Sequence, residues 1–340
     1  MRIAFFSDNF YPELSGISDS ILTTAKELAK RGHEIRFFAP TYSQKNYELL
    51  NIPRNEPNWD PHISVSRFFS FPFPTGTNQG RLVAPIGLRT FSIRKFSPDI
   101  IHAHLPFGVG LEGLFAARML GKPFIGTNHT PTSEFIHYSP IQTVWLEKAS
   151  VAYTTWFYNK CFFVSSPAQA IIDEMRTYGF SRPGLPMSNP LHLSTFKPLL
   201  EQKPFLKKEY GFSNFTLLYA GRVAAEKRVD MLLKVVGALK EKVDIDVAII
   251  GRGQQENELR QLSKTLGIEN RVHFLGFVKE EEQMNRIYNA CDAFVMMSTA
   301  ETQSIVTMHA MACRLPVLVA RSWGLKEYVE PERGILIEPG

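Results

Sequence analysis

The sequence predicts an α/β protein made of two Rossmann-like, doubly wound parallel-sheet domains. Three observations predict it. Short apolar runs alternate with helical stretches through both halves, the pattern of consecutive βαβ units. The length, 340 residues, exceeds one ordinary core and suits two domains. Between the halves, Ser181 to Pro204 holds Pro183, Pro186, Pro190, Pro198 and Pro204, which marks a linker. The expected domains are residues 1–190 and 191–340.

The elements follow in order. Arg2–Ser7 reads as a strand. Gly16 and Ile17 open a helix to about Arg31, stopped by Gly32. Glu34–Ala39 is a second strand and Asp99–Ala103 a third. A helix from about Gly110 to Leu120 leads to a strand at Lys122–Thr127. In the second half, Phe215–Ala220 is a strand, Val229–Lys240 a helix and Asp246–Ile250 a strand. Glu256–Thr265 is a helix, Val272–Leu275 a strand and Glu280–Asn289 a helix. Ala293–Met297 and Leu315–Ala320 are buried strands. The segment from about Ser304 to Cys313 between them has good helix formers and no Pro or Gly.

Composition bounds the function. Apolar content of 44% supports sizeable cores, without repeats or low-complexity tracts. Cys161, Cys291 and Cys313 are scattered, offer no disulfide framework or metal spacing, and fit a reducing compartment. The first residues read as a strand rather than a signal peptide, and no stretch approaches a spanning helix. The expected location is cytoplasmic. Of the net charge of +5, an equal amount sits between Pro61 and Pro98, which holds Arg67, Arg81, Arg89, Arg94 and Lys95 and no acid. The same stretch carries Phe68, Phe69, Phe71, Phe73, Phe91 and Phe96. It reads either as a face for an anionic membrane or as a loop and core helix with a solvated basic side. No nucleic-acid motif accompanies it.

Four segments are candidates for chemistry. Asp8–Ile17 joins a strand to a helix, and Gly16 there lets backbone approach a phosphate at the helix start; an ordinary turn would look the same. Arg222 and Lys227 lie past the strand Phe215–Ala220, where cations meet phosphate, or form a solvated basic loop. His129 follows the strand Lys122–Thr127; a lone histidine there is more often structural. Glu301 lies at the carboxyl end of Ala293–Met297, where open α/β sheets bind ligands, and its carboxylate can accept two hydroxyls.

The last of these segments resembles retaining glycosyltransferases of family 4. Their pattern is Glu, seven residues, Glu, then Ala-Met-Ala-Cys-Gly-x-Pro. This chain has Glu301, then His309, then Ala310-Met-Ala-Cys313, then Arg314, with Pro316 in place. The resemblance spans nearly the whole chain. It implies the GT-B fold, with two domains facing a cleft, and transfer of a hexosyl group from a nucleoside diphosphate sugar. Ser15-Gly16 looks like the family's glycine loop on the diphosphate. Arg222 and Lys227, in the family's Gly-Arg-x-x-x-x-Lys element, are implied to neutralise the leaving diphosphate. Glu301 is implied to orient the sugar, and His129 to contact sugar or phosphate. Phe274–Val278 resembles the segment whose backbone reads the base, so Val278 joins the donor-binding set. Gln303, Ser304 and Ile305 join it at the helix start, and His309 at the ribose position. Gly251-Arg-Gly253 is a weaker loop signal.

The departures fall on functional positions. Ser304 stands where the family has Gly, and its Cβ crowds the donor. His309 replaces a ribose-binding carboxylate; a neutral imidazole keeps one acceptor, whereas an imidazolium has none and would instead attract the diphosphate. Arg314 replaces a glycine of positive φ, at a cost of about 1 kcal/mol. The stretches His129–Tyr138 and Glu301–Gln303 resemble the glycolipid-forming, diacylglycerol glucosyltransferase-like branch. They imply a lipid or glycan acceptor and a peripheral place on the inner membrane face. No Asp-x-Asp motif suits a cation, so neither metal nor cofactor is expected. Family members continue past Gly334–Gly340 with helices, the last crossing back to the first domain; that helix is expected to be absent. Alternatives are a binding or partner subunit impaired by Ser304, His309 and Arg314, and an epimerase of the same fold. A glycosidase would need a second acid partnered with Glu301.

Overall fold

The structure, a computed structural model, describes residues 1–13, 15–48, 52–73, 80–131, 143–299 and 301–338. Met1–Pro190 and Leu191–Gly340 form two compact units. In the first, the elements run β1 (Arg2–Phe6), α1 (Gly16–Lys30), β2 (Glu34–Pro40), α2 (Gln44–Glu48), β3 (Ile63–Phe68), β4 (Phe71–Pro72), β5 (Arg81–Leu82), α3 (Thr90–Phe96), β6 (Ile100–Ala103), α4 (Gly108–Leu120), β7 (Phe124–Thr127), α5 (Val144–Tyr158), β8 (Phe163–Ser166), α6 (Gln169–Thr177) and β9 (Gly184–Pro186). Seven strands form a parallel sheet of order β3-β2-β1-β6-β7-β8-β9, and β4 with β5 a small antiparallel pair.

Strand alternation explains the two cores of this unit. Ile3 and Phe5 of β1 face one cluster with Phe37 and Ile21, while Ala4 and Phe6 face another with Phe38, Leu114 and Phe157. A sheet buried on both faces needs apolar residues at successive positions, as Ile-Ala-Phe-Phe provides.

The second unit runs α7 (Lys203–Tyr210), β10 (Phe215–Ala220), α8 (Val229–Leu239), β11 (Ile245–Ile250), α9 (Glu256–Thr265), β12 (Val272–Gly276), α10 (Glu281–Ala290), β13 (Ala293–Met296), α11 (Ile305–Ala312), β14 (Val317–Ala320), α12 (Leu325–Tyr328) and β15 (Gly334–Ile337). Its six parallel strands have the order β12-β11-β10-β13-β14-β15 around one core. Both units are therefore Rossmann-like, and the GT-B fold class is the one expected. Among the described residues no helix is long and apolar enough to cross a membrane.

Two sequence expectations need correction. The linker is shorter than Ser181–Pro204. Gly184–Pro186 is an edge strand paired with β8 alone, a place where proline's missing N–H costs no ladder bond. Pro204 lies in the first turn of α7, where its fixed φ is helical already. The stretch from Phe68 to Phe96 is also not one surface. Phe68 and Phe96 are core residues, while Phe69, Phe71, Phe73 and Phe91 are exposed together with Leu82, Ile86 and Leu88. Of the cations between Pro61 and Pro98, three are tied down: Arg67 to Glu56, Arg81 to Ser70, and Arg89 to the buried Glu112.

Backbone conformation accounts for the Arg314 departure. Arg314 has φ +61°. Its N–H donates to Met311 O (3.0 Å), and that of Leu315 to Ala310 O (2.9 Å), closing α11 with a Schellman motif. The Arg314 residue is exposed. Arg314→Gly is therefore expected to raise stability by about 1 kcal/mol, read as a shift in the denaturant midpoint at unchanged m-value.

Candidate functional site

In the second unit the strand order reverses between β10 and β13. Successive crossovers leave to opposite sides there, which opens a crevice at the carboxyl ends of those strands. Both loops at this point carry predicted residues. The loop after β10 bears Arg222 and Lys227; the loop after β13 bears Glu301. Lys227 Nζ lies 2.5 Å from Glu301 Oε1, with side chains only 19% and 11% exposed. A pair so withdrawn from water is more than a surface salt bridge. Glu301 is held from behind: its carbonyl accepts from Gly324 N and Ser322 Oγ, each at 3.3 Å. Arg222 pairs with Glu226 at 2.6 Å, and its carbonyl accepts from the buried Tyr219 hydroxyl.

The glycines of Gly251-Arg-Gly253 let this backbone pack directly against the loop after β10. A Cβ on Gly251 would lie 1.9 Å from Gly221 O, and one on Gly253 2.0 Å from Val223 O. The N–H groups of Gly221, Val223 and Gly251 donate to Ile250, Arg252 and Gly276. The loops after β10, β11 and β12 are thus laced backbone to backbone, which aims Arg222 and Lys227.

Around the start of α11, Gln303 is buried and its carbonyl accepts from the Tyr328 hydroxyl. Ser304 is the N-cap in the left-handed region, φ +54°, which is strained for serine. Its carbonyl accepts from the N–H of Thr307 and Met308, and its Oγ from Thr307 Oγ1 at 2.8 Å. Ile305 opens the helix. Val278 follows the edge strand β12, its side chain buried in the core. His309 stacks on Phe196 with ring centroids 3.6 Å apart and planes 6° from parallel. Burial, with His192 nearby, holds its imidazole down to about 4. Of the two forms open from sequence, burial favours the neutral ring, packed against Phe196 at the start of the second unit.

In the first unit the order reverses between β1 and β6. Gly16 is the exposed first residue of α1, capped by Ser15, whose Oγ accepts from Ser18 N. Asp19 in the first turn already complements the dipole. His129 is buried beyond β7, with Nε2 3.1 Å from His104 Nδ1. His102 on β6 and His104 just past its end have rings 4.0 Å apart. His102 Nε2 meets Thr127 Oγ1 at 2.8 Å. Burial pushes the imidazoles down, to about 3 for His102 and about 4 for His129, so the cluster is neutral. Asp8, just past β1, accepts from Val109 N (2.8 Å) and Gly110 N (3.2 Å) at the start of α4. Burial raises its carboxyl to about 7 against these donors.

Sequence reasoning placed Glu301, Lys227 and Arg222 past the ends of their strands, which the structure brings to one switch point, and missed Asp8, His102 and His104. The signal for the histidines was present: residues two apart at a strand's end share a face. Among the described residues no group of three His, Cys, Asp or Glu side chains suits a metal ion. The segment 132–138, part of the glycolipid-like stretch, lies outside the described residues.

These pKa shifts carry a pH dependence. The histidines bind protons more weakly folded than unfolded, so their contribution is present above about 6.5 and lost as pH falls toward about 4. Asp8 has the opposite sign, contributing below about 4 and losing it as pH rises through about 7. With four depressed imidazoles, those of His102, His104, His129 and His309, against one raised carboxyl, stability is expected to fall between about pH 6.5 and about pH 4. Denaturant titrations across that range check this, and His102→Gln should flatten the profile.

Comparison with known proteins agrees with this architecture. The Glycosyltransferase Family 4 model matches residues 14–184, and the Glycosyl transferases group 1 model residues 202–340. The chain is 29% identical to an alpha-monoglucosyldiacylglycerol synthase of Streptococcus pneumoniae, covering 94% of this chain and 70% of that one. It is 28% identical to the enzyme of the same name from Acholeplasma laidlawii, over 94% and 80%. A GDP-mannose-dependent alpha-mannosyltransferase of Corynebacterium glutamicum is 26% identical over 99% and 77%. In fold it is similar to Anabaena HepE, crystallised in complex with UDP, with a TM-score of 0.78 at 22% identity over all of this chain and 86% of that one. The chain belongs to glycosyltransferase family 4 and is a glycosyltransferase of GT-B type.

Proposed function

We propose that this glycosyltransferase moves a hexosyl group, with retention of configuration, from a nucleoside diphosphate sugar to a lipid acceptor at a membrane. The observation that carries the reading is the Lys227–Glu301 pair at the switch point of the second sheet. A buried carboxylate accepts sugar hydroxyls, and the ammonium beside it neutralises charge growing on the diphosphate as the glycosidic bond breaks. Arg222 assists at the phosphates, and Gln303, Ser304 and Ile305 present the start of α11 to them. Val278 offers backbone to the base. In the first unit, Gly16 approaches the diphosphate and His129 contacts the sugar. No metal or cofactor takes part in this scheme.

The acceptor class rests on the relatives, two of which are named as synthases of an alpha-glucosyl diacylglycerol. The exposed Phe69, Phe71, Phe73, Leu82, Ile86, Leu88 and Phe91 supply an apolar face suited to a peripheral place on the inner membrane. The test is incubation with UDP-glucose, UDP-galactose or GDP-mannose and vesicles of diacylglycerol with anionic phospholipid. Lipid-linked sugar whose anomeric signal is α supports the proposal; a β product refutes retention, and transfer only to soluble glycans refutes the lipid acceptor. A second reading, a nucleotide-sugar-binding subunit without turnover, is favoured by the strained Ser304 and by the neutral His309 at a carboxylate position. Calorimetric binding of nucleotide sugar without transfer or hydrolysis would select it.

A further inference from the structure

We propose that His104 is a positioning residue that locks His129 in the tautomer protonated on Nδ1, so that the first unit presents a hydrogen-bond donor to an oxygen of its ligand. That His129 meets a ligand rests on the glycosyltransferase reading above; the tautomer does not.

The argument starts from the strand ends. His104 follows β6 and His129 follows the neighbouring β7, so the sheet brings together two rings 25 residues apart. His104 is 3% and His129 7% exposed. Burial disfavours the charged form of both. Two neutral imidazoles share two nitrogens, His104 Nδ1 and His129 Nε2, at 3.1 Å, and one proton lies between them.

The proton has two possible owners, and the remaining nitrogens decide between them. Among the described residues His104 Nε2 is buried without a partner, whereas His129 Nδ1 is not among the buried unpartnered atoms. If His129 Nε2 carried the shared proton, His104 would be protonated on Nε2, leaving an N–H buried with nothing to accept it. If His104 Nδ1 carries it, His104 Nε2 is a bare lone pair. Orphaned buried N–H groups are the rarer, and an unmade buried bond is expensive. His104 therefore donates, His129 Nε2 accepts, and the His129 proton sits on Nδ1. The adjoining His102 hydrogen-bonds elsewhere, to Thr127 Oγ1, and leaves this assignment alone. An Nδ1–H suits a sugar hydroxyl oxygen or a phosphate oxygen, and rejects a ligand group that can only donate.

Long-range proton–nitrogen NMR of the full chain with labelled histidine reads the tautomer, with His129→Gln assigning the signal. The expected result is protonated Nδ1 and bare Nε2 in the unsubstituted protein; the reverse, or an equal mixture, overturns the proposal without any folding concern. Kinetics supply a second arm. His104→Leu should mix the His129 tautomers and lower kcat about 10- to 100-fold, by analogy with the loss of a group that orients a metal-ligating histidine. His104→Asn, whose amide N–H replaces Nδ1–H, should restore most of it. Loss of kcat in His104→Leu with the tautomer unchanged overturns the proposal. Absence of transfer by the unsubstituted protein would count against the functional reading alone, since the NMR result stands apart from it.

Discussion

Lys227→Ala is expected to lower kcat for glycosyl transfer by about 10²- to 10³-fold, the loss typical when one fixed group stabilising transition-state charge is removed. The ammonium lies 2.5 Å from Glu301 in a setting largely withdrawn from water, where its field is weakly screened. Charge on a departing diphosphate grows as the sugar bond breaks, so the contact strengthens toward the transition state and appears in kcat more than in KM. Glu301→Gln should also lower kcat, because the amide keeps one acceptor oxygen but loses the charge that orders the hydroxyls. Each single change strips a partner from a buried pair and should cost stability by about 3 kcal/mol. The double variant Lys227→Met with Glu301→Leu should recover part of that stability but none of the activity. Steady-state kinetics beside denaturant midpoints separate the two effects. An unchanged kcat in Lys227→Ala would remove this residue from the reaction.

Gly251→Ala is expected to destabilise the second unit by about 3 kcal/mol, from two sources. Its φ of +127° is a conformation that side-chain-bearing residues rarely adopt. Its Cβ would stand 1.9 Å from the carbonyl oxygen of Gly221, a backbone atom that no rotamer change can move aside. The relief available is to push the loop after β10 outward, which displaces Arg222 and Lys227. Activity should therefore fall further than the stability loss alone explains, with the surviving folded protein showing a raised donor KM. Denaturation followed together with donor titration checks both. A variant of normal stability would mean that the backbone lacing between the loops is dispensable.

Much of the fold was legible because strands buried on both faces announce themselves as short apolar runs. Phe215–Ala220 and Glu256–Thr265 have the bounds read from sequence, and most other elements of the second half differ by one or two residues. The failures have physical causes. Between Thr127 and Ser181 the sequence pattern predicts no element, and the structure has α5, β8 and α6 there. Helix α5 carries apolar or aromatic residues on its exposed side as well, including Trp145 and Trp156, so its periodicity is faint. β3 lies in the basic, aromatic stretch and ends at the buried Phe68, a segment whose composition suggested surface. Prolines suggested a long linker, although an edge strand and a helix's first turn both accept them.

The candidate site divides in the same way. Glu301, Lys227 and Arg222 could be placed past strand ends from sequence because a βαβ unit always puts its loop there. The ionic pairing of residues 74 apart could not, since it depends on β10 and β13 being neighbours. Nor could the cradle that Val109 and Gly110 make for Asp8, or the hydrogen bond between His104 and His129. Sequence alone determined two parallel sheets, the family, and which loops carry charge, because these follow from local periodicity and short motifs. Tertiary structure alone decided which side chains meet, that His309 is a neutral ring against Phe196, and that Gly251 serves the neighbouring loop. Those outcomes rest on strand order and burial, which bring together atoms that no sequence window contains.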